Sequence, residues 1–104
     1  MQLPAGPESH WNNKLTVVER EVKIVNKYGL HARPAMQFVE KANGYTCKIE
    51  VSKGTLTVDA KSIMSVLRLA ATKGTVLQIV ADGEDAAAAV ESLVEFVESG
   101  FGED

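Results

Sequence analysis

"TCKIEVSKGTLTVDA", residues 46–60, decides the fold. Cys47, Ile49 and Val51 alternate with polar residues before a Ser-Lys-Gly turn, and Leu56, Val58 and Ala60 alternate with polar residues after it. A period of two marks a half-buried strand, and two such runs joined through a short glycine-containing turn read as a hairpin with one wet face. The hairpin forces an antiparallel pair, so the surrounding elements cannot build a uniformly parallel sheet.

On the amino-terminal side, "VKIVN" from Val22 is a strand that could start as early as about Val18, and Gly29 permits a turn after it. Ala32, Ala35, Met36, Val39 and Ala42 then recur at spacings of three and four, and Asn43-Gly44 supplies a stop, so the spacing predicts an amphipathic helix. On the carboxyl-terminal side, "KSIMSVLRLAATKG" (61–74) reads as a short helix with Ser62 as N-cap, and "TVLQIVA" (75–81) as a strand. Asp85 is placed to cap a last helix that buries Ala86, Val90, Leu93, Val94 and Val97, turns Glu91, Glu95 and Glu98 to solvent, and ends near Gly100. The order is β-α-β-β-α-β-α, which predicts an α+β fold with helices on one face of an antiparallel sheet.

A chain of 104 residues is one small domain with a single two-layer core. Residues 1–14, with two prolines, Gly6, His10 and Trp11, read as a mobile tail, and residues 15–104 as the folded domain. Net charge −3, 45% hydrophobic and 24% charged residues describe an ordinary soluble protein and give no support to a nucleic-acid or membrane-surface role. The start of the chain has no secretory pattern, no stretch is long and apolar enough to span a membrane, and the lone Cys47 reads as a small core residue. A cytoplasmic setting is therefore expected.

Where the first strand gives way to the first helix stands "YGLHARPA", residues 28–35. A helix that begins just after His31 presents unpaired backbone N–H groups, here Ala32 and Arg33, and the positive end of its dipole to an anion. Pro34 marks the first turn, because its missing N–H has no acceptor there anyway. Histidine has a reference pKa of ~6.5, so near neutrality an imidazole nitrogen can attack phosphorus, while a guanidinium stays charged. His31 and Arg33 thus fit nucleophile and clamp for a phosphoryl group whose negative charge lies on its non-bridging oxygens. The plain alternative is a loop histidine that merely caps the helix.

Taken together, "GLHARPA" followed by "QFV", then "KSIMSVL" and "GTVLQIVADGED", resemble the HPr family, the histidine-containing phosphocarriers of the phosphoenolpyruvate-dependent phosphotransferase system, over about Val18 to Ser99. The resemblance implies an open-faced β-sandwich with sheet order 1-4-2-3. It also implies that phosphorylated enzyme I charges His31 at Nδ1, that Arg33 holds the phosphate, and that a IIA component of a sugar permease takes the group. No metal or cofactor enters that transfer. "KSIM" is similar to the site at which an ATP-dependent HPr kinase/phosphorylase modifies HPr proteins, which implies regulation at Ser62. The resemblance further implies that Ile63, Met64 and Leu67, on the other side of their helix from Val66, Leu69 and Ala70, form the patch that docks partners.

Several positions depart from the family pattern. Tyr28 and Ala32 stand where many members carry a small polar residue and a threonine, and Glu40 and Asn43 where some carry basic residues, which leaves Lys27, Lys61 and Arg68 as cations for the docking rim. A nitrogen-type or purely regulatory paralogue that acts by protein binding is the alternative function. An autonomous enzyme is not expected, since the chain has no glycine-rich nucleotide loop, no cluster of metal ligands and no second histidine in the folded region.

Overall fold

Hydrophobic alternation becomes a sheet of four strands, β1 (Val17–Lys23), β2 (Lys48–Lys53), β3 (Leu56–Asp59) and β4 (Val76–Asp82), in the order β1-β4-β2-β3. The computed structural model describes residues 16–103; the expectations for residues 1–14, His10 and Trp11 among them, lie outside these. All three pairings are antiparallel, and the registers place Val22 opposite Leu77, Ile49 opposite Ala81, and Val51 opposite both Ile79 and Val58. These are the buried residues of one face, so the pairing and the burial pattern specify each other. The expected hairpin is present, but β2 runs on through Ser52 and Lys53, and the turn is the residue pair Gly54-Thr55.

Three helices cover that face: α1 (Ala32–Asn43), α2 (Ile63–Leu67) and α3 (Ala86–Glu98). α3 lies against β1 and β4, while α1 packs against α2 and α3. The result is the open-faced α+β architecture with sheet order 1-4-2-3. Among the described residues no helix is long and apolar enough to cross a membrane.

Details of the helices differ from the expectation. The buried stripe of α1 is Pro34, Ala35, Phe38 and Ala42, whereas Met36, expected on that stripe, is 57% exposed, and Ala32 is exposed as well. Phe38 sits three residues after Ala35 and four before Ala42, and its ring is the largest group available to fill the core, so the stripe centres on it. α2 stops at Leu67, well short of the periodic run; Val66 and Leu69 are buried as expected, but Ala70 is exposed and adopts φ 46°. A left-handed residue cannot continue a right-handed helix. That turn is needed for the following residue, Ala71, to reach back and accept from the Leu30 N–H at 2.9 Å.

Asp85 occupies the N-cap of α3, yet its carboxylate makes no capping bond there. It accepts instead from the Thr46 and Cys47 N–H groups, at 2.8 and 3.0 Å, and so ties the start of α3 to the entry of β2. The Thr46 N–H and Cys47 hold the Asp85 carboxyl below its ordinary value despite partial desolvation. Burial, with the Asp85 hydrogen bond and charge, pushes the Cys47 thiol up to about 11, which suits a core residue rather than a reactive thiol. Because the carboxyl of Asp85 is depressed in the folded state, the stability it contributes is present above its unfolded value and disappears as pH falls through the folded one. Asp85→Ala should therefore melt at a lower temperature than the native chain at pH 7, with the gap closing towards pH 2, as followed by circular dichroism. A gap that did not depend on pH would contradict this role.

Candidate functional site

The site begins with the loop between β1 and α1. Ile24 N–H donates to Thr75 O and Gly74 N–H to Ile24 O, at 2.9 and 2.7 Å, so the loop is stitched to the segment between α2 and β4. Gly29 has φ 67°, and a Cβ there would lie 2.5 Å from Ala71 O and 2.8 Å from Thr72 Cα. Only glycine meets both demands. The close approach lets Leu30, 5% exposed, enter the core and leaves His31 at the surface in an extended conformation.

His31 is the N-cap residue of α1, but its side chain makes no capping bond. Its carbonyl accepts from Ala35 N–H at 2.9 Å, Pro34 has no N–H, and among the described residues the N–H groups of Ala32 and Arg33 meet no acceptor. The two backbone donors expected from the sequence are thus present at the start of the helix that His31 opens. Arg33 is exposed, and with Lys27, Tyr28, His31, Gln37 and Glu103 it lines an open depression of about 520 Å³. The Tyr28 ring and the imidazole meet edge to face, with centroids 6.1 Å apart, and Lys27 Nζ stands over the Tyr28 ring at 5.3 Å.

The imidazole engages one carboxylate. His31 Nε2 and Glu103 Oε2 are 2.8 Å apart, and the other oxygen, Oε1, accepts from Asn26 Nδ2 at 3.0 Å. Desolvation pushes the Glu103 carboxyl up, but the Asn26 and His31 hydrogen bonds, with electrostatic help from His31 and Arg33, outweigh it and hold the group below the ordinary carboxylate value. Among the described residues Nδ1 has no hydrogen-bond partner, and the side chain of His31 is 40% exposed. An exposed nitrogen nucleophile beside a fixed cation and two unpaired amides can receive and release a phosphoryl group.

The protein-family model described as "PTS HPr component phosphorylation site" matches residues 18–99. This chain belongs to the HPr family. It is 38% identical over 87 residues to the phosphocarrier protein HPr of Neisseria meningitidis, covering 84% of this chain and 98% of the relative. It is 40% identical over 82 residues to the HPr-like protein Crh of Halalkalibacterium halodurans, covering 79% and 98%. Among solved structures, HPr from Thermoanaerobacter tengcongensis superposes with a TM-score of 0.81 at 42% identity over 84% of this chain and 98% of the other. HPr proteins are phosphocarriers of the phosphotransferase system, so the coarse role of the fold is that of a carrier.

Of the residues singled out from the sequence, His31, Ala32 and Arg33 come together at the start of α1. Ser62 lies at the N-cap of α2, where its hydroxyl accepts from Ser65 N–H at 3.3 Å. On the outer side of α2, Met64 is 72% exposed and Leu67 is exposed as well, while Ile63 is half-buried against the core. Lys61 is already committed, its Nζ donating to Tyr45 O at 2.7 Å, and Asn43 is likewise bonded to the carbonyls of Val39 and Lys61. Asn26 and Glu103 carry no such signal in the sequence: no periodicity tells which way a chain turns after its last helix, and only the glycines flanking Phe101 hint that it turns at all.

Gly29→Ala should lower stability by more than about 1 kcal/mol, since a Cβ is strained at positive φ and collides with backbone. A urea denaturation midpoint equal to that of the native chain would show that the loop does not depend on the close approach.

Proposed function

We propose that this protein carries a phosphoryl group on His31, taking it from phosphorylated enzyme I and giving it to a IIA component of a sugar permease, in the cytoplasm. The observation that carries the reading is an exposed imidazole at the N-cap of α1 whose ring is not used in capping and which shares a depression with Arg33. In the forward step the His31 lone pair forms an N–P bond as the donor's own N–P bond breaks. Arg33 and the N–H groups of Ala32 and Arg33 face the negative charge of the group in transfer. One guanidinium and two amides hold the phosphate loosely, which suits a carrier that must also be a good donor. Catalysis proper belongs to the partners.

Docking is assigned to Ile63, Met64 and Leu67, since an exposed methionine and leucine on one short helix give a partner an adaptable apolar surface. Enzyme I with labelled phosphoenolpyruvate should place acid-labile label on the native chain and none on His31→Ala, with Met64→Asp labelled several-fold more slowly at unchanged melting temperature. Label retained by His31→Ala would remove the carrier reading. A native chain that stays unlabelled in the presence of active enzyme I would favour a paralogue that regulates by binding.

Ser62 is proposed as a regulatory site for an ATP-dependent HPr kinase/phosphorylase. Its hydroxyl is half-buried and caps α2; a phosphate there keeps an acceptor for the helix start and adds roughly two negative charges next to Met64 and Leu67. The expected consequence is weaker docking with little change of fold. Incubation with that kinase and ATP should put the phosphate on Ser62, as located by mass spectrometry. An active kinase that leaves Ser62 unmodified would exclude this regulation.

A further inference from the structure

Beyond α3 the chain makes a tight reversal that periodicity alone does not require. Gly100, Phe101 and Gly102 have φ of 73°, 59° and 71°, three left-handed residues in a row. Phe101 N–H donates to Phe96 O at 2.9 Å and Glu103 N–H to Gly100 O at 3.0 Å, so backbone hydrogen bonds hold both sides of the reversal. A phenylalanine at positive φ is strained, and it persists only where its surroundings over-determine it. Here Phe101 is 2% exposed and its ring meets that of Phe96 edge to face, centroids 5.3 Å apart. Burial of the Phe101 ring offsets the strain and latches the segment. These residues lie outside the span 18–99 that the family model matches.

The latch delivers Glu103 to Asn26, a buried residue whose Nδ2 donates both to Gly29 O at 2.9 Å and to Glu103 Oε1 at 3.0 Å. Both partners can only accept, so the orientation of the amide is settled by its surroundings. Among the described residues its own Oδ1 has no hydrogen-bond partner. An orphaned buried acceptor is destabilising, and its presence here points to a task for the amide other than stability. That task is to hold the Gly29 turn and the Glu103 carboxylate side by side.

The second carboxylate oxygen then meets His31 Nε2 at 2.8 Å. An ionised carboxylate accepts only, so Nε2 must carry the hydrogen; a neutral imidazole has just one N–H, which leaves the lone pair on Nδ1. We infer that Glu103, latched by Phe101 and steadied by Asn26, is a positioning residue that holds His31 in the Nε2–H tautomer with Nδ1 as the nucleophile. The inference rests on the proposed role of His31 as phosphoryl acceptor and deepens it. During transfer the Nδ1–P bond forms while the donor's N–P bond breaks, and Nε2 keeps its proton. The ring becomes positively charged as it does so, and the Glu103 carboxylate lies next to the N–H that bears part of that charge.

The test uses the full ¹⁵N-labelled chain. Long-range ¹H–¹⁵N spectra of the neutral His31 ring should show a pyrrole-type Nε2 and a pyridine-type Nδ1 in the native protein. In Glu103→Ala the two nitrogen shifts should move towards each other as the tautomers mix, and Phe101→Ala, which frees the latch, should reproduce that change. Labelling by enzyme I should slow roughly three- to tenfold in Glu103→Ala, at unchanged half-saturation by the carrier, as expected for loss of one charge-assisted hydrogen bond. Glu103→Asp should recover part of the rate. Nitrogen shifts that are identical in the native chain and Glu103→Ala would overturn the inference, and so would faster labelling of Glu103→Ala, which would make the carboxylate a competitor of the phosphate. If the native chain takes no label at all, the carrier reading fails, and the nitrogen shifts still decide whether Glu103 sets the tautomer.

Discussion

Everything at the site hangs on the missing side chain of Gly29. Its positive φ and its approach to the Ala71–Thr72 backbone bring the loop before α1 against the segment after α2. That approach carries the Leu30–Ala71 hydrogen bond, the descent of Leu30 into the core and the emergence of His31 at the surface one residue later. It also fixes the Gly29 carbonyl that Asn26 holds. A single backbone contact thus sets where an imidazole sits relative to a helix terminus, an arginine and a carboxylate. Placement of that accuracy is what a transfer site needs, because a reacting group about 1 Å out of position loses much of its rate.

The open-faced architecture divides labour between its layers. Sheet pairing in one register buries Val22, Ile49, Val51, Leu77, Ile79 and Ala81 under α1 and α3, and this core supports a rigid floor. The candidate site and α2 are then built on short segments at the edge of that floor. α2 is only one turn or so long, anchored by Val66 on one side and followed by buried Leu69, and it leaves Met64 and Leu67 outside. A short helix held on one side can present apolar groups to a partner without endangering the fold, because its inner residues carry the packing.

Legibility differed from element to element for physical reasons. The hairpin, β4 and α3 follow from alternation and helical spacing, because a half-buried strand and a one-sided helix have no other way to satisfy both solvent and core. In α1 the period is legible but its phase is not: the spacing points Met36 and Ala32 inward and passes over Phe38, since small and apolar residues occur on both sides of that helix. The end of α2 was hidden by an apolar run that continues past it to Leu69, and the turn at Ala70 exists to satisfy a partner forty residues upstream in the chain. Asp85 has the chemistry of a cap, and the competition between its own helix and the N–H groups of Thr46 and Cys47 is a matter of tertiary geometry.

By itself the sequence determined the element order, the antiparallel central hairpin, the family and the grouping of His31, Ala32, Arg33 and Pro34 at a helix start, because all of these are local in the chain or carried by short motifs. Tertiary structure alone decided that His31 Nε2 meets Glu103, that buried Asn26 steadies the carboxylate, and that Lys61 is tied to Tyr45. The reason is distance along the chain. His31 and Glu103 are separated by three of the four strands and all three helices, and no spacing rule relates residues whose meeting depends on how every intervening layer packs.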